Sequence, residues 1–377
     1  MRIATNITRE YLGGITRSNI NFLDSIHGKH GGVVGIELNS RRYMQAPSIF
    51  RHYDLDWFSH HIINIHDLSI FTAIKRSKSI KDLEKKYKPI IKIIKTILIK
   101  DKPDVIFLNG TYYIPWLISI AAHELKIPIV LRYAGVYTKE TENFTPKFKK
   151  FFNEMEKSFK KRVGHFIFPS HLCRDLVEKE IYKKSIDNAF VISNSFNTKE
   201  DTTVFRTAER RIAAVGRWDR IKNFKEFFEI HKMLKKNGWE HEASFVTSDS
   251  KIKDMPKSIN RLATMTHEEL LNFYSSQGLI ICPSLFETFG NVPMEAVCMG
   301  IPVLVSDNMG CAEILKIAGL GNMVISFKDR KKVVERVQLL CGQQILPKQI
   351  NNVRKILNSK LINAEIMAVL RDAAQIE

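Results

Sequence analysis

One stretch near residue 280 constrains the fold of this 377-residue chain more than any other. The apolar run 278–281 predicts a buried strand, and a polar loop that holds Glu287 follows it. A helix comes next, with Pro293 near its first turn, where a missing backbone N–H costs nothing. This order of strand, loop and helix N-terminus predicts an α/β fold.

The same stretch has the chemistry of a ligand site. A helix N-terminus offers free N–H groups and a partial positive charge, which suits an anion such as a diphosphate. Gly290 has no Cβ, so a ligand can approach the backbone there. Glu287 and Glu295 would repel a phosphate, and we expect them to accept hydrogen bonds from sugar hydroxyls instead.

Residues 283–296, Pro-Ser-Leu-Phe-Glu-Thr-Phe-Gly-Asn-Val-Pro-Met-Glu-Ala, resemble the EX7E motif of retaining glycosyltransferases of the GT-B fold, and look most like glycosyltransferase family 4. The resemblance implies two Rossmann-like domains that face a central cleft. It also implies a nucleotide diphosphate sugar, UDP- or GDP-linked with the base undetermined, as co-substrate, and no other cofactor.

A second α/β unit opens at residue 211, where a predicted strand ends in a glycine and two cations, Arg217 and Lys222, follow before a helix over 224–237. A diphosphate needs paired cations on a rigid turn, and the arginine fork and the lysine point charge both suit it. The pair resembles the clamp that holds the donor diphosphate in the family. The alternative is two solvated cations at a helix start.

The resemblance assigns roles to residues of this chain. Glu287, Arg217 and Lys222 are the expected catalytic residues, with Glu287 on the hydroxyls of the donor sugar and Glu295 on the ribose. A glycine turn in the first strand–turn–helix unit is expected beside the donor phosphates. The predicted donor-binding residues are Gly13, Gly14, Arg217, Lys222, Met265, Glu287, Thr288, Phe289, Gly290, Asn291 and Glu295.

Four residues beyond the predicted N-terminal strands are candidates for acceptor binding, because ligands of open α/β sheets lie beyond the carboxyl ends of the strands. They are Asn109, Tyr112, Arg132 and Tyr133. Many relatives have a histidine in the loop that holds residues 132–135, and this chain does not. Arg132 therefore has two interpretations, an anionic acceptor or a structural salt bridge.

The chain is long enough for two domains, because single cores rarely exceed roughly 250–300 residues. We predict an N-terminal Rossmann-like acceptor domain over 1–195, a polar linker over 195–203, a donor domain over 204–360, and a last helix over 361–377 that returns to the first domain. The net charge is +18, from 58 Lys and Arg against 40 Asp and Glu. A count over 1–195 gives 32 against 19, so +13 of the excess lies in the N-terminal half.

Two basic segments, 75–102 and 147–162, carry much of this charge. In the first, paired isoleucines alternate with lysines at helical spacing, and the second mixes lysines with phenylalanines. One interpretation is helices packed on the core with a solvated basic face. The other is helices lying on an anionic membrane surface, with lysines reaching the headgroups.

The five cysteines form no CxxC pair and fit buried thiols in a reducing compartment, and the first residues lack the apolar core of a signal peptide. These features predict a cytoplasmic protein, with peripheral attachment to the inner face of the cell membrane as the open alternative. The isolated pair Asp54 and Asp56 has no strand–loop context, so no metal site is predicted.

The expected function is transfer of a sugar to a hydroxyl of a glycan or lipid-linked acceptor, with retention and without a metal, in bacterial polysaccharide or lipopolysaccharide synthesis. Two alternatives from the same fold are a sugar-nucleotide epimerase or hydrolase and a non-catalytic nucleotide-sugar binder. The basic charge alone would also suit a nucleic-acid binder, but no recognisable binding module supports one.

Overall fold

The computed structural model describes residues 1–7, 14–29, 31–40, 53–65, 69–196 and 209–376, without the side chains of 14–17 and 40. The chain divides into two compact units. The first comprises Met1–Ser195 and Ser359–Glu377, and the second comprises Phe196–Asn358. The predicted residue Gly13 and the linker from 197 onward lie outside the described residues.

The N-terminal unit alternates strands and helices. Its elements are β1 Ile3–Ile7, α1 Gly14–Ile26, β2 Val33–Ser40, β3 Phe58–Ile65, α2 Ile70–Lys75, α3 Ile80–Asp101, β4 Val105–Asn109, α4 Tyr113–Glu124, β5 Ile129–Arg132, α5 Tyr137–Glu140, α6 Pro146–Ser158, β6 His165–Phe168, α7 His171–Leu176, β7 Ala189–Val191 and, from the end of the chain, α14 Ser359–Ala374.

The seven strands of this unit form one parallel sheet in the order β3-β2-β1-β4-β5-β6-β7. Helices cover both faces of such a sheet, so its strands read as continuous apolar runs, and every residue of β4 is buried. The strand order reverses between β1 and β4, and their carboxyl ends border the position where open α/β sheets bind ligands.

The last helix completes the core of the N-terminal unit. Ile366 and Leu370 of α14 are fully buried in one cluster with Ile3, Val130 and Ile167 of the sheet. On the rim of this contact, His165 and Asp372 lie 3.0 Å apart. Residues 359–377 therefore contribute to a core that is built mainly from the first half of the chain.

Packing of α3 decides between the two interpretations of the first basic segment. The apolar stripe of this helix is buried, with Leu83, Tyr87, Ile94 and Leu98 at most 1% exposed, while most of the lysines face solvent. This stripe is used in the core, so membrane attachment through it is not supported. None of the helices in the described part of the chain has the length and apolarity that crossing a bilayer requires.

The C-terminal unit repeats the plan. Its elements are β8 Arg211–Val215, α8 Phe224–Lys236, β9 Glu242–Val246, β10 Ile259–Leu262, α9 His267–Ser275, β11 Leu279–Cys282, α10 Asn291–Cys298, β12 Val303–Ser306, α11 Cys311–Ile317, β13 Val324–Ile325, α12 Arg330–Leu340 and α13 Pro347–Ile356. The six strands form a parallel sheet in the order β10-β9-β8-β11-β12-β13, and its order reverses between β8 and β11.

Candidate active site

The residues predicted to be catalytic lie at the reversal point of the C-terminal sheet. Arg217 and Lys222 follow β8, and Glu287 follows β11, the strand next to β8. The carboxyl ends of parallel neighbours meet at one edge of a sheet, so two loops that are 65 residues apart in sequence become adjacent. Ligands of open α/β sheets bind at this place.

Lys222 and Glu287 contact each other directly. The Nζ atom of Lys222 lies 2.6 Å from Oε1 of Glu287, and the same oxygen accepts a hydrogen bond of 2.8 Å from the hydroxyl of Ser284. The two charged side chains keep 27% and 17% of their surface exposed, so a ligand can reach both. An ammonium has three N–H donors, and the carboxylate engages one of them.

Backbone and side-chain hydrogen bonds fix the relative position of the two loops. The N–H of Leu285 donates to the carbonyl of Ile221 at 2.8 Å. The side-chain amide of Asn223 donates to the carbonyl of Pro283 at 3.2 Å. Asn223 has a left-handed backbone with φ of 54°, a conformation that asparagine tolerates better than most residues. The cation and the carboxylate are therefore held in register before any ligand binds.

The turn that carries Arg217 is also tied to its own sheet. The next residue, Trp218, donates its backbone N–H to Oδ2 of Asp249 at 2.7 Å and stacks its ring on Phe228. Arg217 itself is exposed. A rigid backbone with an exposed guanidinium is the arrangement that an anionic ligand needs.

Helix α10 begins beside Glu287 and directs its N-terminus to the same edge. Gly290 caps the helix with φ of 112°, in the left-handed region that favours glycine. A Cβ at this position would lie 2.8 Å from Sγ of Cys311 and 2.9 Å from Cε of Met309. Both the packing and the backbone conformation therefore require glycine at position 290. From the sequence alone, this glycine was explained by the close approach of a ligand.

Glu295, which is predicted from the sequence to hold the ribose, is buried within helix α10. The helix starts at Asn291, so Glu295 lies in its second turn, and it is only 4% exposed. Its Oε2 accepts a hydrogen bond of 3.2 Å from the hydroxyl of Tyr274. At least one oxygen of this carboxylate is therefore directed toward α9.

The other predicted donor-binding residues differ in how far they are exposed. Thr288 and Asn291 are partly exposed, whereas Phe289 is 3% exposed and belongs to the core. Met265 is partly buried just before α9, which begins with a capping box formed by Thr266 as the N-cap and Glu269. In the other unit, Gly14 is the first residue of α1.

Buried thiols near the site do not offer a nucleophile. Cys282 ends β11 and Cys311 begins α11, and burial raises the pKa of both thiols well above the usual range. A thiol becomes nucleophilic as the thiolate, so these side chains act as small apolar groups in the core.

The four acceptor candidates lie in the N-terminal unit. Asn109 ends β4, Tyr112 precedes α4, and both adjoin the reversal point of that sheet. Tyr133 is fully buried and donates its hydroxyl to Tyr182 at 2.9 Å, so the prediction that it contacts an acceptor is not supported by its position. Arg132 is 3% exposed and forms no salt bridge within the described residues.

Sequence reasoning missed the residues that hold these loops in place. Ser284, Asn223 and Asp249 bond to Glu287, Pro283 and Trp218 respectively. Asn223 directly follows Lys222, and that adjacency was the one available signal. Ser284 and Asp249 are small polar residues just beyond strands, a pattern too common to single them out.

Comparison with known proteins agrees with this arrangement. Residues 195–355 match the family model of glycosyl transferases group 1. The amylovoran biosynthesis glycosyltransferase AmsD of Erwinia amylovora is 27% identical over 177 residues, which cover 44% of this chain and 48% of the relative. The O-antigen chain mannosyltransferase RfbU of Salmonella typhimurium is 28% identical over 169 residues, with 42% and 46% covered. The chain thus spans about half the length of these curated relatives.

Solved structures match over the whole chain. The sucrose-phosphate synthase of Thermosynechococcus elongatus superposes with a TM-score of 0.74 at 16% identity, covering 99% of this chain and 98% of the other. The UDP-forming trehalose-phosphate synthase of Burkholderia xenovorans gives 0.67 at 15% identity, with 99% of each covered. At such identity the likeness shows the fold alone, and the predicted GT-B fold of two Rossmann-like domains is confirmed.

Proposed function

We propose, from the match of residues 195–355 to the family model of glycosyl transferases group 1, that the protein transfers a sugar from a nucleotide diphosphate sugar to an acceptor hydroxyl. The observation that carries the proposal is the contact of Lys222 with Glu287 at the reversal point of the C-terminal sheet. A cation for a diphosphate and an acceptor for sugar hydroxyls are adjacent there, as the two halves of a sugar nucleotide require.

In the proposed reaction, the charge that develops on the departing diphosphate is neutralised by Lys222, Arg217 and the N–H groups at the start of α10. These groups are fixed by the fold, so little reorganisation is needed as the glycosyl bond breaks. Fixed cations supply the charge neutralisation for which other transferases use a metal.

The two glutamates would position the donor. Glu287 accepts from Lys222 through Oε1, and we propose that it also accepts from hydroxyls of the donor sugar. Glu295, which is anchored by Tyr274, is proposed to hold the ribose. This assignment gives positioning roles to both carboxylates. Retention of the anomeric configuration is proposed separately, from the resemblance of residues 283–296 to the motif of retaining glycosyltransferases.

The pathway is proposed from the relatives. Their names place them in amylovoran, O-antigen and capsular polysaccharide synthesis. We therefore propose a glycan or lipid-linked acceptor in the synthesis of a bacterial surface polysaccharide.

Substitution of the clamp tests the function. We expect Lys222→Ala and Glu287→Ala to lower turnover of a UDP- and GDP-sugar panel by about 10²–10³, the usual loss for one preorganised group. Lys225→Ala and Glu229→Ala are matched controls on neighbouring α8, and they should keep full turnover. Full activity of Lys222→Ala in a folded protein would contradict the proposal. Sugar-nucleotide turnover without any acceptor would instead indicate an epimerase or hydrolase.

We also propose peripheral membrane attachment, through an aromatic cluster on the N-terminal unit rather than through the apolar stripe of α3. Phe71, Phe144 and Phe148 form a cluster with ring centroids 5.5–6.4 Å apart, and Phe71 is 43% exposed. Lys147 reaches the carbonyl of Lys75 beside this aromatic cluster. An exposed aromatic ring beside lysines suits the surface of an anionic bilayer.

Vesicle sedimentation tests this attachment. Wild-type protein should sediment with anionic vesicles at low salt and less at high salt, and Phe71→Ser should weaken the effect. Leu339→Ser, which changes a 65% exposed side chain of α12, is the control and should sediment like wild type. No sedimentation at low salt would exclude attachment.

A further inference from the structure

The reversal point of the N-terminal sheet gathers polar side chains from several elements. Asn6 lies near the end of β1, Asn109 ends β4 and Arg132 ends β5. Helix α1 adds Ser18 and Asn19. Asn6 bonds to Asn109 and Asn19, and Arg132 bonds to Ser18, the neighbour of Asn19 in α1. These residues lie at an edge where open α/β sheets bind ligands.

Asn6 organises this cluster. Its Oδ1 accepts from the backbone N–H of Asn109 at 2.8 Å, and its amide donates to the carbonyl of Asn109 and to the hydroxyl of Tyr112, both at 3.1 Å. The backbone carbonyl of Asn6 accepts from the amide of Asn19 at 3.0 Å. The side chain thus extends the pairing of β1 with β4, and its own hydrogen-bonding groups are engaged.

Asn19 and Asn109 leave hydrogen-bond acceptors unused. Both residues are 2% exposed, and among the described residues no donor lies within hydrogen-bond distance of either Oδ1 atom. Buried polar atoms are nearly always paired, so orphan atoms of this kind require an explanation. An amide oxygen accepts and cannot donate, so the missing partner must offer an O–H or N–H group.

Arg132 adds a positive charge, and the residues that the structure describes give it no negative partner. Its guanidinium donates to Ser18 Oγ at 2.6 Å, to the carbonyl of Ser193 at 3.3 Å and to Asn194 Oδ1 at 2.9 Å, and all three oxygens are neutral. Burial lowers the pKa of Arg132 to about 10, which reflects the cost of a charge without a counter-ion. A guanidinium has five N–H groups, so donors remain for a ligand.

We propose that this edge, the Asn19–Asn109–Arg132 site, binds a sugar that carries an anionic group beside its hydroxyls. The hydroxyls would donate to the two orphan amide oxygens, and a carboxylate or phosphate would accept from Arg132, whose planar fork matches such groups. The identification of this anionic sugar as the acceptor rests on the proposed transfer reaction.

Two other ligands fit the site less well. A neutral sugar would satisfy the amide oxygens but would leave the buried guanidinium uncompensated. The diphosphate of a donor offers only acceptors at neutral pH, and it would face the two amide oxygens with no hydrogen to share. The combination of orphan acceptors and an unpaired cation therefore selects an acidic sugar.

Thermal unfolding of the full chain with three probes tests the site. Methyl glucuronide and glucose 6-phosphate represent the two sources of an anionic group, and methyl glucoside is the neutral analogue. We expect at least one anionic probe to raise the Tm of the wild type, and the neutral probe to bind about ten- to a hundredfold more weakly, the factor for one charge-assisted contact. Equal shifts from neutral and anionic probes, or no shift from any probe, would overturn the proposal.

Variants separate binding from stability. Arg132→Gln should abolish the shift from the anionic probe, whereas Arg162→Gln should keep it. Arg162 is a suitable control because this half-buried arginine also donates to neutral oxygens, the hydroxyls of Ser119 and Ser158. Asn109→Ala removes an orphan oxygen and leaves its backbone bonds to Asn6, so it should weaken the probe without lowering the Tm of the free protein. An Asn109→Ala protein that binds the probe like wild type would overturn the proposal even if Arg132→Gln fails to fold.

The test also distinguishes the site from the transfer function. UDP and GDP should still stabilise Arg132→Gln, because their proposed contacts lie in the C-terminal unit. Stabilisation of wild type by the anionic sugar but by neither nucleotide would support the site and contradict the transfer function. The reverse result would support the nucleotide site and overturn the acidic-sugar site.

Discussion

Gly290 joins the loop that holds Glu287 to helix α10. Its replacement by alanine tests whether packing and backbone conformation both require glycine there. Its φ of 112° costs a non-glycine residue roughly 1–2 kcal/mol. The added Cβ would lie 2.8 Å from Sγ of Cys311 and 2.9 Å from Cε of Met309, and both neighbours are buried. Overpacking of this kind costs about 1–3 kcal/mol, so the free energy of unfolding should fall by about 2–5 kcal/mol.

Urea unfolding monitored by circular dichroism measures this loss, and Gly238→Ala is the matched control. Gly238 has φ of 74° but open space around its Cβ position, so alanine there should cost only the conformational part, about 1–2 kcal/mol. The double variant Gly290→Ala, Cys311→Ala should recover part of the packing loss. A Gly290→Ala protein as stable as Gly238→Ala would refute the packing argument.

Two further predictions concern the loop contact and pH. Asn223→Gly keeps the left-handed backbone but loses the side-chain hydrogen bond to the carbonyl of Pro283. We expect near-native stability, and a KM for the sugar nucleotide that is raised by about fivefold or more in steady-state kinetics. An unchanged KM would show that this hydrogen bond does not position the two loops. Burial, together with the neighbouring His241, lowers the pKa of His231 in the folded protein from 6.5 to about 4. As the pH falls below 6.5, the imidazole of His231 is therefore protonated in the unfolded chain but stays neutral in the folded one. The contribution of neutral His231 to the free energy of unfolding should therefore be full above pH 6.5 and fall by up to about 3 kcal/mol toward pH 4. The measurement is the Tm as a function of pH, and a His231→Gln variant with the same dependence of Tm on pH as wild type would contradict this prediction.

Continuous apolar runs made most of the sheet predictable. β4, β11 and β12 are buried on both faces, so their sequences carry no polar interruption. β10 was not recognised because it is a four-residue edge strand in which Asn260 and Arg261 are exposed. α4 was missed for the opposite reason, since a helix buried almost all round has no amphipathic period.

Individual site residues were predictable where chemistry and spacing coincide. Arg217, Lys222 and Glu287 were chosen because the residue types suit a sugar nucleotide, but their meeting depends on the order of β8 and β11 in the sheet. The burial of Tyr133 and the bonding of Arg132 to neutral oxygens depend on packing by distant elements. No local pattern in the sequence encodes those contacts.

A crystal structure of the protein soaked with a nucleotide diphosphate sugar tests the central claim most directly. The account predicts that the diphosphate lies within hydrogen-bond distance of Lys222 and Arg217 at the start of α10, with sugar hydroxyls on Glu287. A nucleotide sugar bound elsewhere, with Lys222 still paired only to Glu287, would contradict it.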